Sequence, residues 1–525
     1  MNNQQWIERN RKYTLTDPES GFSLAVAGMK FTAEQLQHLS ARFEAAHREM
    51  QKLEAGAIKN PDENRKVTHF TDRADYTASP LFREVQAFAE AIAKGEITGG
   101  AGRKFESAVI NGIGGSALGP QLMQYAINGP YWNELSDAKR RGFLKLYFLD
   151  NTDSAGFADL TATIDPETTL VVNISKSGGT QETKNNTAAL QDFFKSKNVD
   201  FAPHFAAITM KDSSLDRQAR AEKWFRVFDM AESIGGRTSE TSVVGHLPAA
   251  LTGINFKSFI DGACAMDRWT RNSAVLDNPA YLMAALWYIA GNGKGDRNLV
   301  IVPYSDRLIL LSRYFQQLIM ESVGKELDLD GKTVHQGLNV FGNKGGTDAH
   351  AFIQQLNDGR DDFFVTFIEV LKNAMPLPVG ENMDMGNYLH GFLAGLSSAL
   401  RSKGRQVMQI TISEISPYNL GMIIALYERT VAVYAELIHI NAFHQPGVQA
   451  YKLAAKEILD LRAKVLAATA KAGGASGTAA EIAAAIGLPG DEVEIAGLFD
   501  KASANCPCVS RAWDPARKTW IYTVK

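Results

Sequence analysis

The chain has 525 residues, 45% of them hydrophobic and 22% charged, with a formal net charge of −3. That length exceeds one ordinary domain, the composition supports a large buried core, and the near-neutral balance excludes a global basic field for nucleic acid. The cysteines Cys264, Cys506 and Cys508 exclude a disulfide-built scaffold and suit a reducing compartment; the longest uncharged stretch, Ser107–Asn133, is broken by Gly, Pro, Asn and Gln and does not offer the roughly 20 consecutive apolar residues of a membrane helix.

In chain order, residues 1–104 read as a helical region that packs on a core. Met1–Trp6 lacks an apolar signal region, so a soluble cytoplasmic protein is expected. Thr32-Ala33-Glu34-Gln35 carries a capping-box pattern, and another helix is expected after Ser79-Pro80. From residue 105 the pattern changes. Ala108-Val109-Ile110 meets Gly112–Ser116, and further short apolar runs follow at Leu144–Leu149, Leu170–Ile174, Phe205–Thr209 and Phe225–Phe228. Short apolar runs alternating with helical stretches predict a parallel sheet with helices on both faces. A second cycle begins near residue 298. Leu299–Val302 predicts a strand, about Arg307 to Val323 a long helix, Phe363–Val370 and Val407–Ile412 further strands, and roughly 417–437 and 446–470 long helices. The expected organisation is a helical region over 1–104, α/β domains over 105–285 and 286–470, and a small winged-helix-like appendage over 471–525. Lys471–Gly477 reads as its linker. From Thr478 onward the tail carries six acidic and five basic side chains, a balance that points to packing or oligomer contact instead of DNA binding.

The chemistry concentrates at the ends of predicted strands. Ser175-Lys176-Ser177-Gly178-Gly179-Thr180 stands between the strand Leu170–Ile174 and a helix beginning near Gln181. Hydroxyls and free N–H groups at a helix N-terminus form a phosphate site. Gly112–Ser116 only partly matches a dinucleotide fingerprint. No acid closes a following strand at the required distance, so Gly115 and Ser116 are expected beside a small ligand. Gly331-Lys332-Thr333 resembles a P-loop ending, but Glu326 stands where the leading glycine belongs. Gly235 and Gly236 open space beside Arg237, whose planar fork suits an anionic substrate. Glu321 ends a largely apolar helix. It reads either as a base near a buried face or as half of an exposed pair with Lys325. His350 enters a helix from a Gly-rich loop, and Gln445 and Lys452 share a helical face, each open to a structural reading. Among ten histidines no HExxH-type pair occurs, and Cys506-Pro507-Cys508 has no second ligand pair, so no metal and no cofactor are expected.

Taken in order, Gly112–Ser116, Ser175–Thr183, Ile234–Arg237, Glu321–Lys325, His350–Phe352 and Gln445–Lys452 resemble the phosphoglucose isomerase family over about two-thirds of the chain. The resemblance implies two sugar-isomerase α/β/α sandwich domains, a sugar-phosphate substrate, a homodimer, and isomerisation of glucose 6-phosphate and fructose 6-phosphate through a cis-enediol. It assigns the phosphate to Ser175, Lys176, Ser177 and Thr180, bordered by Gly115, Ser116, Gly236 and Gln445. It gives ring opening to His350 with Lys452, both potentially donated across the dimer, proton transfer to Glu321, and charge stabilisation to Arg237. Thr238, Val323, His444 and Gln449 depart from the family pattern and bear on the fine sugar contacts and the orientation of Lys452. Two other readings compete. A non-catalytic phosphosugar regulator needs the phosphate loop but no base or enediolate clamp. A nicotinamide oxidoreductase would rest on Gly112-x-Gly114 alone. Side activity on mannose 6-phosphate stays open.

Overall fold

A computed structural model describes residues 3–525 and divides them into two compact units, the first ending at His444 and the second running from Gln445 to Lys525. The first unit holds two sheets. One is wholly parallel, with its strands side by side in the order Lys145–Leu149, Ser107–Asn111, Thr169–Ile174, Phe205–Thr209 and Arg226–Asp229. Every residue of its three inner strands is buried, which is why they read as continuous apolar runs. Successive side chains serve opposite faces. Ala108 and Ile110 join Val85, Phe88 and Leu247 on one side, while Val109 joins Leu160, Leu190 and Phe194 on the other. Strand order reverses at Ser107–Asn111, so the loops leaving this strand and its neighbour Thr169–Ile174 diverge and open a crevice. Those loops are Gly112–Ser116 and Ser175–Thr180.

The second sheet has the parallel strands Gln406–Ile412, Phe363–Val370, Asn298–Pro303 and Val340–Phe341. The N-terminal region, expected to be helical, also supplies this sheet with an antiparallel edge. Thr14–Thr16 pairs with Ser23–Ala25, which pairs in turn with Gln406–Ile412. Strands of three residues carry too little alternation to be read from side chains alone. The capping box at Thr32 and the helix Pro80–Lys94 are present as expected.

The helix expected from Arg307 to Val323 is broken. A 3₁₀ turn at Asp306–Leu308 precedes a short α-helix, Leu311–Phe315, and a π-helical turn, Gln316–Glu321. Such turns widen the backbone and recur at functional sites.

Behind these layers the helix Pro417–Leu437 is buried along nearly its whole length. It carries two charges inward, and both are paired. Arg73 holds Asp267 bidentately at 2.6 and 2.7 Å and donates to Glu428, while Arg429 donates to Glu54 at 2.6 Å. Burial raises the Glu428 carboxyl to about 7 despite the opposing pull of Arg73. Removing one member of such a set strands the others. Arg73→Met is expected to destabilise the protein by about 3–5 kcal/mol, read as a lower urea midpoint; an unchanged midpoint would contradict this account.

The second unit contains the helices Pro446–Lys471, Ala479–Ala485 and Glu492–Asn505 and the hairpin Val509–Asp514 with Thr519–Val524. The first of these helices was expected with the second α/β layer. Its C-terminal half instead buries Val465 with Ile482, Ile495, Phe499 and Tyr522. The expected linker contributes a third strand, Ala475–Gly477, because ladder bonds need backbone and no particular side chain. Cys506 and Cys508 form a disulfide, leaving Cys264 free. The bridge closes only a minimal loop, so no scaffold depends on it, but the cysteine count no longer argues for a reducing compartment. Among the described residues no helix is long and apolar enough to cross a membrane.

Candidate active site

The phosphate loop follows directly from its strand. Gly178 has φ +69°, and a side chain there would strike the backbone of Leu215, so only glycine makes this turn. Thr180 occupies the N-cap of the helix Gln181–Ser196 but does not bond the helix N–H groups with its side chain. Its hydroxyl accepts from Ser175 Oγ at 3.2 Å. The first-turn N–H groups therefore remain available to an anion, which separates this loop from an ordinary cap. Lys176 Nζ lies 3.6 Å from the Glu63 carboxylate, which also accepts from Arg65 Nε at 2.7 Å. Desolvation and the nearby Arg65 lower the Lys176 ammonium to about 8, partly offset by Glu63 and Glu232.

The two glycine turns meet. A Cβ on Gly115 would stand 1.8 Å from the Gly236 carbonyl oxygen, and Ser239 Oγ donates to the carbonyls of both Gly115 and Gly236, at 3.3 and 2.7 Å. Gly236 opens the 3₁₀ turn Gly236–Thr241, which carries Arg237. That residue is only 8% exposed. Its Nη2 donates to the His444 carbonyl at 3.2 Å, and its own carbonyl accepts from Tyr314 Oη at 3.4 Å. Nη1 lies 3.3 Å from Glu321 Oε2 yet makes no hydrogen bond, so this buried N–H can turn to a ligand. Burial lowers the Arg237 pKa and Glu321 opposes the shift.

Glu321 closes the π-turn, and its carboxylate goes to Arg237. The alternative exposed pair with Lys325 does not form. Lys325 is buried, and its ammonium donates to the backbone carbonyls of Glu321 and Ser322, both at 2.8 Å. One turn before Glu321 stands Gln317. Its amide nitrogen would lie 3.0 Å from a Cβ on Gly114, and its Oε1 is buried without a partner. The sequence reading passed over Gln317, although its four-residue spacing from Glu321 was visible. It also passed over Asp62, which pairs with His444 at 3.0 Å.

His350 is exposed on the 3₁₀ turn Thr347–His350, and among the described residues its ring has no hydrogen bond or ion pair. It makes no hydrogen bond or ion pair with Glu321. Gln445 and Lys452 belong to the second unit, where Gln445 precedes the first turn of the helix Pro446–Lys471 and Lys452 is exposed on it. Among the described residues no group of three or more His, Cys, Asp or Glu is placed to hold a metal ion.

The phosphoglucose isomerase family model matches residues 29–400 and 400–477. A glucose-6-phosphate isomerase from Geobacter sulfurreducens is 44% identical over 519 residues, covering 96% of each chain. A chloroplastic one from Arabidopsis thaliana is 46% identical over 465 residues, covering 85% of this chain and 74% of its own. The crystal structure of a glucose-6-phosphate isomerase from Chlamydia trachomatis superposes with a TM-score of 0.76 at 28% identity, over 86% of this chain and 91% of that one. The chain belongs to the phosphoglucose isomerase family.

Of the departures, Thr238 is buried and its hydroxyl donates to the Gly235 carbonyl at 3.2 Å. Val323 is fully buried. His444 faces Asp62, and burial lowers its imidazole pKa.

Proposed function

We propose that this chain interconverts glucose 6-phosphate and fructose 6-phosphate by ring opening and proton transfer through a cis-enediol. The observation that carries the reading is the pairing of buried Arg237 with part-buried Glu321 beside the junction of the two glycine turns. A carboxylate acting on a carbon acid and a cation facing the oxygens that become negative are the two groups such an isomerisation needs. The family membership points to the same reaction. A non-catalytic phosphosugar regulator is not favoured, because the phosphate loop alone would serve it.

In this reading Ser175, Ser177, Thr180 and the backbone N–H groups near Lys176 hold the phosphate, with Gly115, Ser116, Gly236, Gln445 and the unpartnered amide oxygen of Gln317 around the sugar. His350 protonates the ring oxygen as the ring opens, assisted by Lys452. Glu321 then takes the proton from C2 of the open aldose and returns it to C1, while the proton of the C2 hydroxyl passes to the C1 oxygen. A cis-enediol presents both carbons on one face, so one carboxylate serves both. Arg237 meets the charge on the enediolate oxygens. No cofactor enters this sequence.

Two facts favour a homodimer as the working form. His350 has no partner within its own unit, and the helix Pro446–Lys471 exposes Tyr451, Leu453 and Leu459 at 59–64%. A neighbouring copy would receive His350 and cover that apolar surface. The substrates' dianionic phosphates do not cross lipid unaided, which favours a cytoplasmic enzyme.

The reading is tested by supplying fructose 6-phosphate to the full chain and coupling glucose 6-phosphate formation to NADPH production. Steady turnover is expected. A folded chain that binds the phosphosugar without turning it over would overturn the enzyme and promote the regulator.

A further inference from the structure

One buried cation has no task in the chemistry above. Lys325 is 4% exposed, yet lysine is costly to bury and its four-carbon stem normally carries the charge to water. Here the stem folds back over the π-turn, and Nζ donates at 2.8 Å to each of the carbonyls of Glu321 and Ser322. The chain turns sharply at this point. The Gly324 N–H reaches the Met320 carbonyl at 2.9 Å, a Cβ on Gly324 would meet that same oxygen at 2.8 Å, and the strand Lys325–Leu327 leaves at once. The ammonium thus ties together the end of the turn that carries the Glu321 carboxylate.

We propose that Lys325 is a positioning residue for Glu321, fixing its backbone through the two carbonyls and setting a positive charge beside its carboxylate. The inference rests on the reading of Glu321 as the base. Four charged or titratable groups face Lys325. Arg237 comes from the 3₁₀ turn, Glu321 from the π-turn, Asp62 from the loop between Ile58–Asn60 and Arg65–Lys66, and His444 from the end of the first unit. Desolvation first and then Arg237 lower the ammonium to about 7, with Glu321 and Asp62 opposing. Both hydrogen bonds survive deprotonation, since a neutral amine still donates two N–H groups. The charge does not survive it.

A simple helix cap would hold carbonyls without influencing the carboxylate's proton, and this difference supplies the test. Lys325→Met and Lys325→Gln are compared with the wild type for kcat and KM with fructose 6-phosphate across pH. The expected result for Lys325→Met is a fall in kcat of about tenfold or more, from a displaced carboxylate, with KM little changed. The acid limb of the kcat profile moves to higher pH, because removing a nearby cation favours the protonated carboxyl. Lys325→Gln, which retains a donor but no charge, should show the same limb shift with a smaller loss of kcat. An unchanged kcat and acid limb in folded variants overturns the proposal. So does a kcat loss with no limb shift, or failure of both variants to fold, each of which reduces the lysine to a cap. Glu321→Gln run in parallel separates the two claims. If it stays active, the base assignment falls; if it is inactive while Lys325→Met behaves as wild type, only the present inference falls.

Discussion

Replacing Glu321 with Gln lowers kcat for fructose 6-phosphate by about 10²-fold or more, within the range a general base contributes. The substitution keeps the shape of the side chain and removes its ability to accept the proton from carbon. Phosphosugar binding persists, because the phosphate loop belongs to the other sheet's strand ends and is untouched. A second readout isolates the step. Wild-type protein in deuterated water washes solvent deuterium into the substrate at the exchanged carbon, and Glu321→Gln stops the wash-in along with turnover. Retained exchange at wild-type rate would show that another group moves the proton.

Arg237→Met carries the second large effect, a loss of roughly 10²–10³ in kcat, the scale seen when one preorganised charge-stabilising donor is removed. The physical reason lies in its setting. The guanidinium is already desolvated, and Nη1 has no hydrogen bond to surrender. Charge developing on the enediolate therefore meets a donor that is already stripped of water. The fold should tolerate the change, since Tyr314 holds residue 237 through its backbone carbonyl. A variant that melts like wild type but loses less than about tenfold would remove Arg237 from the transition state.

How much of this was legible in the sequence differs from residue to residue. The run Leu170–Ile174 followed by Ser175–Thr180 announced both a buried strand and an anion loop, because parallel strands are apolar throughout and a helix N-terminus needs acceptors. The glycines at 115 and 236 announced close approach, but not that they approach each other. Contacts between segments so distant in the chain leave no trace in local pattern. The pairing of Arg237 with Glu321 was hidden for the same reason, so Lys325 looked the better partner by spacing. The π-turn was invisible as well. It changes which carbonyl each N–H meets without altering the apolar periodicity of Leu318 and Ile319. The family resemblance supplied roles for His350 and Lys452 that local chemistry left open.

The N-terminal hairpin has a consequence for the order in which the molecule can be made. Ser23–Ala25 pairs with Gln406–Ile412, and the Lys30 N–H donates to the Gln406 side chain at 3.1 Å. These strands are therefore made long before the partner they pair with, and nearly the whole first unit must be synthesised before that edge can close. Until then Leu15, Phe22 and Leu24, all buried in the finished protein, stand exposed on the nascent chain. The first sheet, whose strands lie between residues 107 and 229, has no such wait. Synthesis thus separates the two sheets of the first unit in time, and the early residues are the segment on which a chaperone would have most to hold.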